Sequence, residues 1–166
     1  QAEKMRDTFI SLGQIIILAV LLVFMIMAAQ FESFTQPLVI MFTVPLAIIG
    51  VILGIVISGK TLSLPSGIGV VILAGIIVNN GIVMIDYINQ LRRKGMEKME
   101  AIVEGAVTRL RPIIMTASTT ILAMFPLALS RAEGSAVRSV VAVSIMGGLL
   151  VGSILTLIVI PALYSL

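Results

Sequence analysis

Five stretches of this chain, 8–31, 33–59, 61–85, 112–130 and 139–166, contain no Asp, Glu, Lys or Arg. A bilayer core of roughly 30 Å is crossed by about 20 predominantly apolar residues in a helix, which satisfies its backbone N–H and C=O groups internally where lipid offers them no partner. All five stretches are of that order, the fourth being the tightest. Composition points the same way: 59% of the residues are hydrophobic and 11% charged, whereas an ordinary soluble domain has roughly 25% charged residues. The mean hydropathy is +1.20. The sequence therefore predicts an all-α integral membrane chain. It forms one membrane domain over 1–166, a bundle of five transmembrane helices at about 8–31, 36–58, 64–90, 110–130 and 138–164.

The breaks between the runs carry turn chemistry. QFESFTQP places Glu32 and Pro37 between the first two runs, and SGKTLSLPSG separates the second from the third. INQLRRKGMEKMEAIVEGAVTRLRP is the one extended polar stretch. Within it Met96, Met99, Ile102, Val103 and Val107 recur at helical spacing among charges, which predicts an amphipathic surface helix over about 95–108. SRAEGSAVRS forms the last short turn.

Charge supplies an orientation. Six basic residues lie in the single connection 91–111, and the opposite face carries Lys4, Arg6, Lys60, Arg131 and Arg138. Concentration of the six in one short loop predicts that 91–111 and the C-terminus are cytoplasmic and the N-terminus external. The same clustering accounts for the net charge of +3 without a nucleic-acid partner; the partner is the lipid bilayer. With neither Cys nor His in the chain, disulfides, thiolate or imidazole metal sites and histidine acid–base catalysis are excluded. No cofactor or metal site is expected. The chain begins at Gln1 rather than Met, and its first apolar run is longer than the hydrophobic core of a signal peptide. It is expected to be part of a longer polypeptide.

A few polar residues interrupt this apolar pattern. Asn79 and Asn80 are adjacent inside AGIIVNNGIVMIDY, where an unpaired amide costs free energy. Interhelical glue and a transport role are both open to them. Asp86 lies near the helix end as an interfacial charge. Arg109, Thr116 and Thr120 stand seven and eleven residues apart, nearly on one helical face, with Ser118 and Thr119 beside them. Threonine hydroxyls can bond to their own helix's carbonyls, and Arg109 could snorkel to headgroups. Close helix approach is signalled by Gly50 and Gly54, by Gly67, Gly69 and Gly75, and by Gly147, Gly148 and Gly152. Pro45 and Pro126 are candidate kinks.

VPLAIIGVILGIVISGKTLSLPSGIGVVILAGIIVNNGIVMIDYINQLRRKG, followed by AIVEGAVTRLRPIIMT, FPLAL, IMGGLL and LTLIVIPALY, closely resembles the resistance–nodulation–division (RND) efflux transporters over essentially the whole chain. The match is to the last five of that family's twelve transmembrane helices, the C-terminal half of its membrane domain. The resemblance implies a homotrimeric pump of the bacterial inner membrane, driven by proton influx, with two large extracytoplasmic domains in the N-terminal portion of the same polypeptide and a periplasmic adaptor protein as a further partner. In the family a proton relay joins two Asp residues of the fourth helix to a Lys of the tenth and to an Arg and a Thr of the eleventh. The Arg and Thr correspond to Arg109 and Thr116; Asn79 stands at the Lys position, and Asn80 matches the Asn that follows it. An amide supplies no compensating positive charge, so Asn79 implies either a different proton inventory or a larger balancing role for Arg109. The Asn-Asn pattern is similar to a drug- and amphiphile-exporting branch. The alternatives are the heavy-metal efflux branch, whose closing helices are much alike, and a membrane assembly module that does not transport.

Overall fold

In the computed structural model, residues 2–130 and 135–165 are described. Contacts divide the chain into two compact units, Gln1–Leu38 and Val39–Leu166. The first contains α1 (Ala2–Phe31), which ends at Glu32 in the left-handed conformation with φ of 50°. A short α2 (Thr35–Met41) straddles the boundary, and the second unit holds α3 (Thr43–Ile57), α4 (Leu64–Arg93), α5 (Lys98–Leu129) and α6 (Ser135–Ser165). Five spans are long and apolar enough to cross a membrane: Gly13–Phe31, Thr35–Ile57, Leu64–Arg93, Lys98–Leu129 and Ser135–Ser165.

Proline decides one of the interruptions. Pro45 has no N–H to offer the carbonyl four residues back, Met41, and its ring crowds that carbonyl. The helix stops at Met41 and restarts at Thr43, so the second span is two helices rather than one. Pro112 and Pro126 lie inside a continuous α5 instead. The polar stretch therefore differs from expectation. A separate amphipathic helix at 95–108 is replaced by the first part of α5, which runs unbroken into the apolar run, while α4 continues to Arg93. Loss of one backbone bond at Pro112 does not outweigh the helical bonds on either side. At 1.5 Å per residue α5 is about 48 Å long, so roughly a third of it projects beyond a 30 Å core.

Both Gly-terminated helix ends close in the same way. Gly59 and Gly95 have φ of 65° and 90°, and the following N–H of Lys60 or Met96 donates to the carbonyl of Ile55 or Leu91. These are Schellman caps, which only a residue without Cβ adopts at little cost. Ser63 caps the start of α4, its N–H donating to Ser66 Oγ at 3.1 Å. The turn containing Arg131, 131–134, lies outside the described residues.

Within the second unit α6 packs against α3, α4 and α5. Small residues permit it. A Cβ placed on Gly50 would lie 2.6 Å from the Gly147 carbonyl oxygen, and one on Gly54 would lie 3.1 Å from Gly147 Cα. Gly148 and Gly152 receive the side-chain tips of Leu73 and Ile77 from α4, and Ser144 sits on Gly69. Gly67 and Gly75, expected to mark close packing, face nothing within 4 Å in this chain. Ala47, Val51, Ile55, Leu73, Ile77, Ala117 and Leu149 form an apolar core cluster. Two buried hydroxyls on α6 are satisfied by their own helix: Ser144 donates to the Val140 carbonyl at 2.8 Å and Thr156 to that of Gly152 at 2.7 Å.

Candidate functional site

α4 and α5 are joined by a four-residue turn and run antiparallel in contact, with Gly105 of α5 against Ile88 of α4: a Cβ on Gly105 would meet Ile88 Cγ1 at 2.5 Å. That contact marks a common level. Counting 1.5 Å per residue from it, Arg109 lies about 6 Å further from the turn, Asn80 about 12 Å, Asn79 about 13 Å and Thr116 about 16 Å. The four candidate relay residues thus occupy a band about 10 Å high on two neighbouring helices.

Their faces differ. Asn79 and Thr116 are exposed, whereas Asn80 and Arg109 are half-buried. Among the described residues no hydrogen bond joins either amide to Arg109 or Thr116. The Thr116 hydroxyl donates to the Ile113 carbonyl at 3.0 Å, and Thr119 and Thr120 donate to Met115 and Thr116 at 2.8 Å each. The threonine line therefore uses its own helix as acceptor. Asp86 is exposed and accepts a bond from Gln90 Nε2 at 2.8 Å.

Arg109 stands apart. The buried positions Ala101, Gly105, Ile113 and Ala117 recur every four residues along α5, and Arg109 fills the missing place in that stripe. Its guanidinium carbon lies 4.8 Å from the centroid of the Tyr87 ring on α4. Arg109 Nε and Ser153 Oγ are buried side-chain atoms without a hydrogen-bond partner among the described residues. A cation thus stands in an apolar helix face with an aromatic ring as its neighbour and, among the described residues, no carboxylate paired to it.

Tyr87 was not singled out in the sequence. The available signal was spacing: Tyr87 follows Asn80 by seven residues, two helical turns, and so shares its stripe on α4. Nothing in the sequence alone brings that stripe to Arg109. Two further contacts tie this end of the bundle together, Tyr164 Oη donating to Asn89 Oδ1 at 2.6 Å and Lys98 Nζ donating to the Ser165 carbonyl at 2.9 Å. Among the described residues no three His, Cys, Asp or Glu side chains gather where they could hold a metal ion.

A model of the AcrB/AcrD/AcrF family matches residues 1–166. The chain is 39% identical over 165 residues to the swarming motility protein SwrC of Bacillus subtilis, covering 99% of this chain and 16% of that protein. It is 35% identical over 164 residues to the cobalt-zinc-cadmium resistance protein CzcA of Cupriavidus metallidurans, covering 99% of this chain and 15% of that one. The crystal structure of a heavy metal efflux pump superposes with a TM-score of 0.89 at 34% identity, over 98% of this chain and 16% of the pump. The chain spans about one-sixth of the length of these relatives.

Proposed function

The chain belongs to the AcrB/AcrD/AcrF family of RND efflux permeases, and on that premise we propose that it forms part of the membrane domain of a proton-driven exporter, with Asn79, Asn80, Arg109 and Thr116 on one side of its proton relay. The observation that carries this reading is Arg109, a cation placed in the buried stripe of α5 with its Nε unpartnered. Ionisable groups within membrane spans are costly, and those that persist generally serve transport. The guanidinium is a fixed charge that can bind a carboxylate through two parallel N–H donors. It compensates a titrating acid on another part of the polypeptide rather than carrying the proton itself. With Asn79 providing only an amide, Arg109 is the main source of that compensation, and Asn80 and Thr116 supply neutral donors and acceptors nearby.

The exporter assembles as a homotrimer in the bacterial inner membrane and works with a periplasmic adaptor protein; 91–111 and the C-terminus face the cytoplasm. Its cargo is a drug or another amphiphile. Heavy-metal cations are the second reading, favoured by the similarity to the cobalt-zinc-cadmium resistance protein and to the heavy metal efflux pump.

Arg109→Ala and Thr116→Ala in the full-length polypeptide are expected to abolish export and coupled proton uptake while the protein accumulates in the membrane at the normal level. Normal resistance and proton uptake in these variants would exclude the relay. A panel of lipophilic cations and detergents set against cobalt, zinc and cadmium separates the two cargo readings. A wild-type protein that exports none of them would favour a membrane assembly module.

A further inference from the structure

Arg109 poses a positioning problem that the relay residues do not solve. Its side chain is long and flexible, its Nε has no hydrogen-bond partner, and no bond from Asn79, Asn80 or Thr116 restrains it among the described residues. Its guanidinium carbon lies over the ring of Tyr87, 4.8 Å from the centroid. That lies inside the roughly 6 Å range in which a cation is attracted to an aromatic face, and the attraction strengthens where water is excluded.

We propose that Tyr87 is a positioning residue for Arg109, its ring face holding the guanidinium at one rotamer so that the remaining N–H donors are presented in a fixed direction. This rests on the transport reading of Arg109. Three features support it. The ring approaches from the neighbouring helix, so it fixes Arg109 relative to α4 and not merely to its own backbone. Tyr87 shares the α4 stripe of Asn80, two turns away, so the element that carries the amide also locates the cation. Finally, Arg109 sits one turn from Gly105, which has no Cβ and so lets α5 approach Ile88, the residue next to Tyr87 on α4. A stacked guanidinium keeps its in-plane donors available, as a Lys ammonium at the same site would not. The ring face, not the phenolic hydroxyl, performs this role.

The test uses the full-length protein in proteoliposomes and two readouts. By nuclear magnetic resonance, the Arg109 side-chain signals are expected to carry an upfield ring-current shift that survives Tyr87→Phe and disappears in Tyr87→Leu. Absence of the shift in the wild-type protein overturns the proposal. For transport, Tyr87→Phe is expected to retain at least about half of the export rate and Tyr87→Leu to lose about tenfold, equivalent to one unit of the logarithmic rate scale. Because Tyr87→Leu could also fail to insert, phenylalanines of increasing fluorination at position 87 provide a series that keeps the ring's shape while weakening its negative face. Export should fall progressively along that series. A flat series in an active protein removes the role of Tyr87 alone, whereas a wild-type protein that exports nothing removes the transport reading on which it rests.

Discussion

The sharpest quantitative consequence of the fold concerns Gly50→Ala. The added Cβ would lie 2.6 Å from the Gly147 carbonyl oxygen, 2.7 Å from Val151 Cβ and 3.0 Å from Gly148 Cα, where ordinary contacts begin at 3.4 Å. Two of those three atoms belong to the α6 backbone and the third is fixed to it, so no side-chain rotation relieves the clash. α3 and α6 must instead separate by about 0.8 Å, a gap that forfeits a quarter to a half of the dispersion attraction between the atoms facing it. Overpacking of this kind costs typically about 1–3 kcal/mol, and a backbone obstacle belongs in the upper part of that range. Ala gains about 1 kcal/mol over Gly in helix propensity. The net destabilisation is about 1–2 kcal/mol, a five- to thirtyfold shift toward the unfolded state. Steric trapping, in which streptavidin captures biotin tags placed on α3 and α6 only when the helices separate, reports that population directly in bicelles. Gly67→Ala is the control, since its Cβ would meet nothing within 4 Å; propensity alone predicts a change between zero and about 1 kcal/mol in the stabilising direction. If Gly50→Ala were as stable as Gly67→Ala, α3 and α6 would not be in backbone contact and the central packing would be wrong.

Three other outcomes follow from particular contacts. Pro45→Ala restores an N–H donor to the Met41 carbonyl and is expected to fuse α2 with α3, seen as new hydrogen-exchange protection at position 45; an unprotected amide there would mean that something other than proline sets the break. Ser139 accepts a bond from Lys60 Nζ and donates to the Ala128 carbonyl at 2.6 Å, so Ser139→Ala should cost about 1 kcal/mol by removing two part-buried bonds, measured by the same trapping assay, and a neutral result would remove this link. Gly148→Ala presses mainly on the Leu73 tip and a Val51 methyl, atoms that rotate, and should destabilise less than Gly50→Ala although its closest contact is shorter; the reverse order would refute the distinction between backbone and side-chain obstacles. The proposed orientation is checked separately by Lys94→Cys, expected to react with a membrane-impermeant maleimide only in inverted vesicles; labelling in right-side-out cells would reverse it.

Much of this architecture was legible because bilayer crossing imposes a one-dimensional rule. Charge-free runs of sufficient length mark where spans can lie, and the five helical stretches long and apolar enough to cross a membrane each overlap one of them. The polar connection was harder. Charges in 98–111 read as a surface segment, but helix continuity through Pro112 depends on backbone bonds on both sides of it and on packing at Ala101, Ile102, Gly105 and Ile113. Pro45 and Pro112 show the same residue breaking one helix and being absorbed by another. For the glycines, spacing flagged Gly50, Gly54, Gly147 and Gly148 correctly as close contacts, while Gly67 and Gly75 have the same composition and no neighbour within 4 Å. A small residue permits approach without requiring it.

The candidate site divides in the same manner. Asn79, Asn80, Arg109 and Thr116 stand out from the sequence because polar atoms are conspicuous among apolar ones. Their faces, and the neighbour that each one meets, depend on how α4 and α5 rotate about their axes, which is settled by long-range contacts such as Ile88 with Gly105. Sequence by itself determined the apolar surroundings, the five runs long enough to span a bilayer, the turns between them and the polar residues that interrupt them, because each depends on local hydration and backbone geometry. Tertiary structure alone decided that α4 and α6 each pack against three other helices, that Tyr87 is the residue beneath Arg109, and that Gly67 and Gly75 meet nothing within 4 Å here. Those outcomes require residues far apart in the chain to arrive at the same level, and helical periodicity sets the spacing along one helix without specifying what lies across from it.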